Sequence, residues 1–154
     1  MGLFLSRFVN KVDKKGRISV PAQYRQTLAA ESFNGIVAYL SFVNPCIEAC
    51  GMQRIEQLAE SIDTLDPYSE ERDAFASTIL GESCQLNFDS DGRITLPEQL
   101  IQGAEITQKA VFVGKGKTFE IWQEAKFEDY ASKARKIAIE NRKLLTLNNK
   151  AKHD

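Results

Sequence analysis

Histidine is almost missing from this chain. The single residue, His153 of 154, sits in a polar stretch at the C-terminal end, which removes the usual general base of nucleophilic triads. Cysteine is scarce too: Cys46, Cys50 and Cys84 make no disulfide framework. Three thiolates with a fourth ligand would suit zinc chemically, but the spacing fits no common zinc pattern. They read instead as buried or edge thiols in a reducing compartment. No metal or other cofactor is expected. No apolar run approaches membrane-spanning length, the longest being the interrupted stretch from Ile36 to Val43. The opening Met1-Gly2-Leu3-Phe4-Leu5-Ser6-Arg7 has no long apolar segment of the secretory kind. A cytosolic protein without membrane contact is the expectation.

What is present is a repeat. Asp13-Lys14-Lys15-Gly16-Arg17-Ile18-Ser19-Val20-Pro21 returns 76 residues later as Asp89-Ser90-Asp91-Gly92-Arg93-Ile94-Thr95-Leu96-Pro97. Outside it, Val37-Ala38-Tyr39-Leu40 with Ile47-Glu48-Ala49 parallels Val111-Phe112-Val113-Gly114 with Phe119-Glu120-Ile121. Two such copies are too few for a solenoid. The expected organisation is a first repeat over 1–82, a second over 83–145 and a flexible tail over 146–154, the two repeats forming one compact domain.

Each copy reads as strand, tight turn, strand, short helix and hairpin. Asp13 suits an Asx-type bond onto the turn backbone and Gly16 a position of positive φ. Asp89 and Gly92 take these places in the second copy. Pro21 and Pro97 fit the first position of a short helix, with Gly103 ending the second one. Ile36–Val43 and Ile47–Cys50 predict a strand pair, as do Ala110–Val113 and Thr118–Trp122 joined by Gly114-Lys115-Gly116-Lys117. That glycine-lysine run lacks the spacing of a phosphate loop and reads as a hairpin turn. Met52, Ile55, Leu58, Ile62 and Leu65 follow helical spacing. Asp66 as N-cap and Pro67 at the first position predict a further helix running to Gly81. A last helix from Gln123 to about Lys143 uses Phe127, Tyr130, Ala134 and Ile137. The class is α+β, with short strands able to close a small barrel and helices outside.

Net charge is −1, which on average disfavours nucleic acid; its distribution does not. Residues 1–28 carry Arg7, Lys11, Lys14, Lys15, Arg17 and Arg25 against Asp13 alone, whereas residues 53–82 hold eight acids against Arg54 and Arg72. A field this uneven has a basic patch and an acidic flank. An Asp-x-x-Gly-Arg turn standing alone reads as a shaped turn with a solvated arginine. The sharper reading aims the arginine at DNA, where a guanidinium held on a stiff element bonds O6 and N7 of guanine. Lys14 and Lys15 then serve flanking phosphates, and the aspartate spends its charge on the turn.

The run Phe8-Val-Asn-Lys-Val-Asp-Lys-Lys-Gly-Arg-Ile-Ser-Val-Pro-Ala-Gln-Tyr-Arg-Gln-Thr-Leu28 resembles the opening of the MraZ family. Cys84-Gln-Leu-Asn-Phe-Asp-Ser-Asp-Gly-Arg-Ile-Thr-Leu-Pro97 resembles that family's second Asp-x-x-x-Arg motif. Val111–Gly114 and Phe119–Trp122 fit as well, and the likeness extends to about residue 145. It implies a pseudo-symmetric, duplicated AbrB-like double-β-barrel of swapped-hairpin type with peripheral helices. It also implies a bacterial transcriptional regulator of the division and cell-wall gene cluster, a nucleoid-associated ring-like homo-oligomer that binds double-stranded DNA at short direct repeats. By that resemblance Arg17 and Arg93 take the family's DNA-facing places, with Lys11, Lys14 and Lys15 beside Arg17. Two departures bear on the site. Ser90 and Asp91 replace the two lysines, which lowers the expected share of Arg93, and Cys50 stands where the second copy has Trp122.

Other readings remain open at this point. A basic stripe of Lys133, Arg135, Lys136, Arg142 and Lys143 reads first as a solvated helix face. Tyr24, Phe75, Tyr130 and Trp122 read as core or interface. Glu31 to Gly35 is assigned no role. The acidic helices are compatible with a protein-interaction or scaffold module that meets DNA only incidentally. Asp13, Asp89 and Asp91 as paired catalytic carboxylates lack a pocket, a histidine or a metal set, so no enzyme is expected.

Overall fold

Short apolar runs between the turns become eight strands and five α-helices in the computed structural model, which describes residues 2–147. The expected tail from 148 onward, with His153, lies outside the described residues. In chain order the elements are β1 (Arg7–Lys11), β2 (Arg17–Ser19), α1 (Ala22–Leu28), β3 (Gly35–Leu40), β4 (Ile47–Cys50), α2 (Met52–Asp63), α3 (Glu70–Phe75) and a π-helical turn over Ala76–Gly81. There follow β5 (Cys84–Asn87), β6 (Arg93–Thr95), α4 (Glu98–Ala104), β7 (Lys109–Gly114), β8 (Phe119–Gln123), α5 (Glu124–Glu140) and a 3₁₀ turn over Arg142–Leu144. The class is α+β.

The unit Met1–Glu124 holds all the strands among the described residues. Six form an antiparallel sheet in the order β1-β7-β8-β4-β3-β5, and β2 with β6 makes a separate antiparallel ribbon. The six-stranded order reads the same from either end once the two repeats are exchanged. β1 pairs with β7 of the other repeat, β5 pairs with β3, and β4 meets β8 with Glu48 opposite Glu120. β1 and β5 are the sheet's edges, so the hydrogen-bonded strands described do not close on themselves.

The expected strand, tight turn and strand form at β1 and β2, but the two strands pair mainly with the other repeat. Between β1 and β2 the Val12–Ile18 bridge forms, and Asn10 Nδ2 donates to the Ser19 carbonyl at 2.7 Å. Their main partners lie about 75 residues away for β2 and about 100 for β1 because the apolar faces of both repeats are satisfied only together. Ile18 and Ile94 face each other across the ribbon, each 1% exposed, and enter one core with Ile36, Ala38, Ile47, Phe112, Phe119 and Ile121. Tyr24 sits in this core, its ring 4.9 Å from Phe119 and 5.3 Å from Phe4, and its Oη donates to the Ser6 carbonyl at 2.8 Å. A second cluster lies on the other side of β3 and β4, where Val37, Tyr39 and Cys50 meet Ile55 and Ile62 of α2 and Ile79.

Three local expectations change. Pro67 does not open a helix: Asp66 instead accepts the Tyr68 N–H at 3.1 Å in an Asx turn. α3 then starts three residues later, with Ser69 Oγ accepting the Arg72 N–H at 3.1 Å as its N-cap. Gly103 lies inside α4 rather than ending it, because a Cβ there would stand 2.5 Å from Leu40 Cδ1. The left-handed cap falls on Glu105 at φ 55°. Glu31, given no role from sequence, turns its carboxylate onto the start of α2 and accepts the Gln53 N–H at 3.0 Å.

The unit Ala125–Asp154 contains nearly all of α5. Phe127 and Tyr130 make a tilted ring pair at 6.1 Å, and Lys133 pairs with Asp129 at 3.2 Å on the helix surface. Ile137, expected on the packed face, is 59% exposed.

Candidate nucleic-acid interface

The two Asp-x-x-x-Arg segments fold into the same turn. Asp13 Oδ1 accepts the N–H groups of Lys15 and Arg17 at 2.9 and 2.8 Å, and Oδ2 accepts Arg17 Nε at 2.6 Å. Asp89 repeats this with Asp91 and Arg93 N–H at 2.9 Å each and Arg93 Nε at 3.0 Å. Gly16 and Gly92 close the turns at φ 83° and 75°, where a side chain costs energy. The backbone N–H of Arg17 chiefly holds the Asp13 carboxyl below its ordinary range; burial opposes this and the guanidinium and Lys15 N–H add to it. Asp89 is lowered in the same sense by the Arg93 N–H. Both aspartates therefore act as charged turn-shapers.

Each turn is locked by the other repeat. Leu96 N–H donates to the Gly16 carbonyl at 2.9 Å, and Val20 N–H to the Gly92 carbonyl at 3.2 Å. A Cβ on Gly16 would lie 2.9 Å from the Leu96 carbonyl oxygen, and one on Gly92 would lie 2.7 Å from the Arg25 guanidinium. Arg25 is a residue whose place sequence reasoning missed: its Nε donates to the Val20 carbonyl at 3.1 Å, which parks the cation beneath the second turn.

The ribbon register then aims the arginines. Ile18 opposite Ile94 points inward, so Arg17, Ser19, Arg93 and Thr95 occupy the outward face. From strand spacing, the Cα atoms of Arg17 and Arg93 stand roughly 8 Å apart on that face. Binding of Nε by the aspartate fixes each guanidinium plane. The Arg17 Nη groups stay available for a bidentate acceptor, whereas Arg93 Nη2 also reaches Asp91 Oδ2 at 3.5 Å. Lys14 and Lys15 are exposed beside Arg17, and Lys11 ends β1 directly opposite Lys109, a cation the sequence reading did not single out. Only strand register brings Lys109 there, and no local signal carries it.

The MraZ family model, described as "MraZ protein, putative antitoxin-like", matches residues 79–147. The chain is 59% identical to "Transcriptional regulator MraZ" of Rickettsia canadensis over 97% of this chain and 99% of that one. It is 57% identical to the protein of that name from Rickettsia felis over the same shares. The chain belongs to the MraZ family. The relatives are named as regulators rather than as enzymes. The family model takes in the second turn, and the relatives' likeness takes in both. Within this chain the two turns differ at their middle positions, Lys14-Lys15 in one and Ser90-Asp91 in the other. No helix among the described residues is long and apolar enough to cross a membrane.

Proposed function

We propose that this protein is a sequence-specific DNA-binding transcriptional regulator of a bacterial division and cell-wall gene cluster, cytoplasmic and nucleoid-associated. In this reading Arg17 reads base edges, Arg93 contributes less, and Lys11, Lys14 and Lys15 hold phosphates, with Asp13, Gly16, Asp89 and Gly92 shaping the turns. The observation that carries it is the shared outward face of the β2–β6 ribbon, where both guanidinium groups are clamped at Nε by their turn aspartates. Arginine on a stiff element is the commonest reader of guanine. The name borne by the Rickettsia relatives supports the same reading. The duplicated double barrel belongs to this proposal, with the ribbon as the strip that completes the wall between the two sheet edges.

One subunit offers about three to five cations, so alone it binds weakly, with a salt slope of roughly −0.9 per neutralised phosphate. Useful affinity then comes from a ring-like homo-oligomer set on successive direct repeats, where effective concentration multiplies weak contacts. Phe42 and Val43 in the β3–β4 turn, 56% and 75% exposed, are apolar surface that self-association would cover.

Mobility shift with the gene's own upstream region against a scrambled duplex, near physiological salt, tests the proposal. Arg17→Ala should erase the preference, a loss of about 5- to 150-fold for each base pair read. Lys15→Ala should weaken both duplexes alike and lower the salt slope by about one. Equal binding of both duplexes by the unaltered protein refutes sequence-specific regulation, and an intact preference in Arg17→Ala removes that residue from the reading role.

A further inference from the structure

The two ends of the ribbon face share one backbone geometry but not one charge. Around the Arg17 turn stand Lys11, Lys14, Lys15 and Lys109; Asp13 and Glu98 are the carboxylates lining the adjoining groove, and Glu124 lies one position along from the Ala110–Gln123 pair, beside Lys109. Around the Arg93 turn the cations are Arg93 and Arg25, set against Asp89, Asp91 and Glu31 of the groove there. Where β1 and β7 bring Lys11 opposite Lys109, the matching register position of β5 and β3 holds Asn87 opposite Gly35.

The Lys11–Lys109 pairing is informative because like charges directly across an antiparallel pair are destabilising. Both side chains are exposed, and neither has a carboxylate within ion-pair distance among the described residues. They leave the sheet on one side, since residues opposite each other across a ladder share a face. Two ammonium groups so placed fit a doubly approached anion such as successive backbone phosphates. At the other end Asp91 does the reverse. It supplies Arg93 with an internal carboxylate that any phosphate or base must displace.

Resting on the DNA-binding reading above, we propose that the face is electrostatically one-ended. Lys109 with Lys11 extends the Arg17 turn into a phosphate-binding site, and Asp91 restrains Arg93 at the opposite end.

The test is a salt titration of binding to a duplex from upstream of the protein's own gene, using the full chain, Lys109→Ala and Asp91→Ser. Lys109→Ala should lower the slope of log affinity against log salt by about one. Its thermal stability should be equal or slightly higher, because a like-charge pair has been relieved. A purely structural lysine would not give that combination. Asp91→Ser should tighten binding roughly two- to fivefold, the range expected from releasing one exposed ion pair. An unchanged slope in Lys109→Ala, or equal or weaker binding in Asp91→Ser, overturns the inference while leaving DNA binding itself intact. Absence of salt-dependent binding by the unaltered chain overturns the DNA-binding reading and this inference with it.

Discussion

Tyr24→Phe gives a perturbation whose size can be worked out from the packing. The ring is 1% exposed, with Phe4, Phe8, Phe112 and Phe119 at centroid distances of 4.9 to 6.2 Å. Phenylalanine keeps all of these contacts. What is lost is the Oη donation to the Ser6 carbonyl, which still accepts the Gly114 N–H at 3.0 Å. Since that acceptor is not orphaned, the cost near neutral pH should be about 0.5–1.5 kcal/mol. Burial pushes the Tyr24 phenol up to about 12 from 10. The folded state therefore holds the proton more tightly than the unfolded chain. The associated stability is fully present below pH 10 and drains away as pH rises towards 12, to at most about 2.7 kcal/mol. Urea unfolding followed through Trp122, the one tryptophan and wholly buried, measures both quantities at a series of pH values. Tyr39 is also raised, by burial and by its bond to Glu48, but it is common to both proteins. Tyr24→Phe should thus be the less stable protein at neutral pH and lose less between pH 10 and 12. Parallel alkaline losses in the two proteins would refute the burial argument.

Three further outcomes are expected. Gly16→Ala forces a left-handed residue against the Leu96 carbonyl and should cost about 2–3 kcal/mol in urea unfolding, while loosening the Arg17 turn enough to reduce DNA discrimination. Glu31→Ala removes the carboxylate that accepts the Gln53 N–H and should cost about 1 kcal/mol in the same assay. The lowered Asp13 carboxyl contributes stability that is present above the ordinary aspartate range and lost as pH falls below it. The Arg17 amide resonance should accordingly titrate at lower pH than an unpaired aspartate would give, and Asp13→Asn should abolish that titration.

Much of the site was readable from residues alone because its logic is local. Asp13 bonds groups two and four residues on, and Gly16 needs a conformation that few other residues take, so the turn is written within five positions. The hairpins β3–β4 and β7–β8 were equally visible, each being an apolar run folded on its neighbour. The partners of β1 and β2 were not. Alternation says which face of a strand is apolar but not which distant strand shares it, so the pairing between repeats has no local signal. The same blindness hid Lys109, set beside Lys11 only by register, and Arg25, whose role depends on Gly92. Asp66-Pro67 misled for another reason: an aspartate before proline suits an Asx turn as well as a helix cap, and Ser69 was the better cap.

The exchange of strands between repeats has a consequence for biosynthesis. As the chain leaves the ribosome, β1 emerges about a hundred residues ahead of β7, and the Arg17 loop precedes the Leu96 amide that fastens it. A nascent first half therefore carries unpaired edges and half a core, with its Arg17 turn not yet fastened. Competence arrives in one late event, when the last hairpin is released and the long loops between partners can close. Truncated translation products would consequently be aggregation-prone fragments.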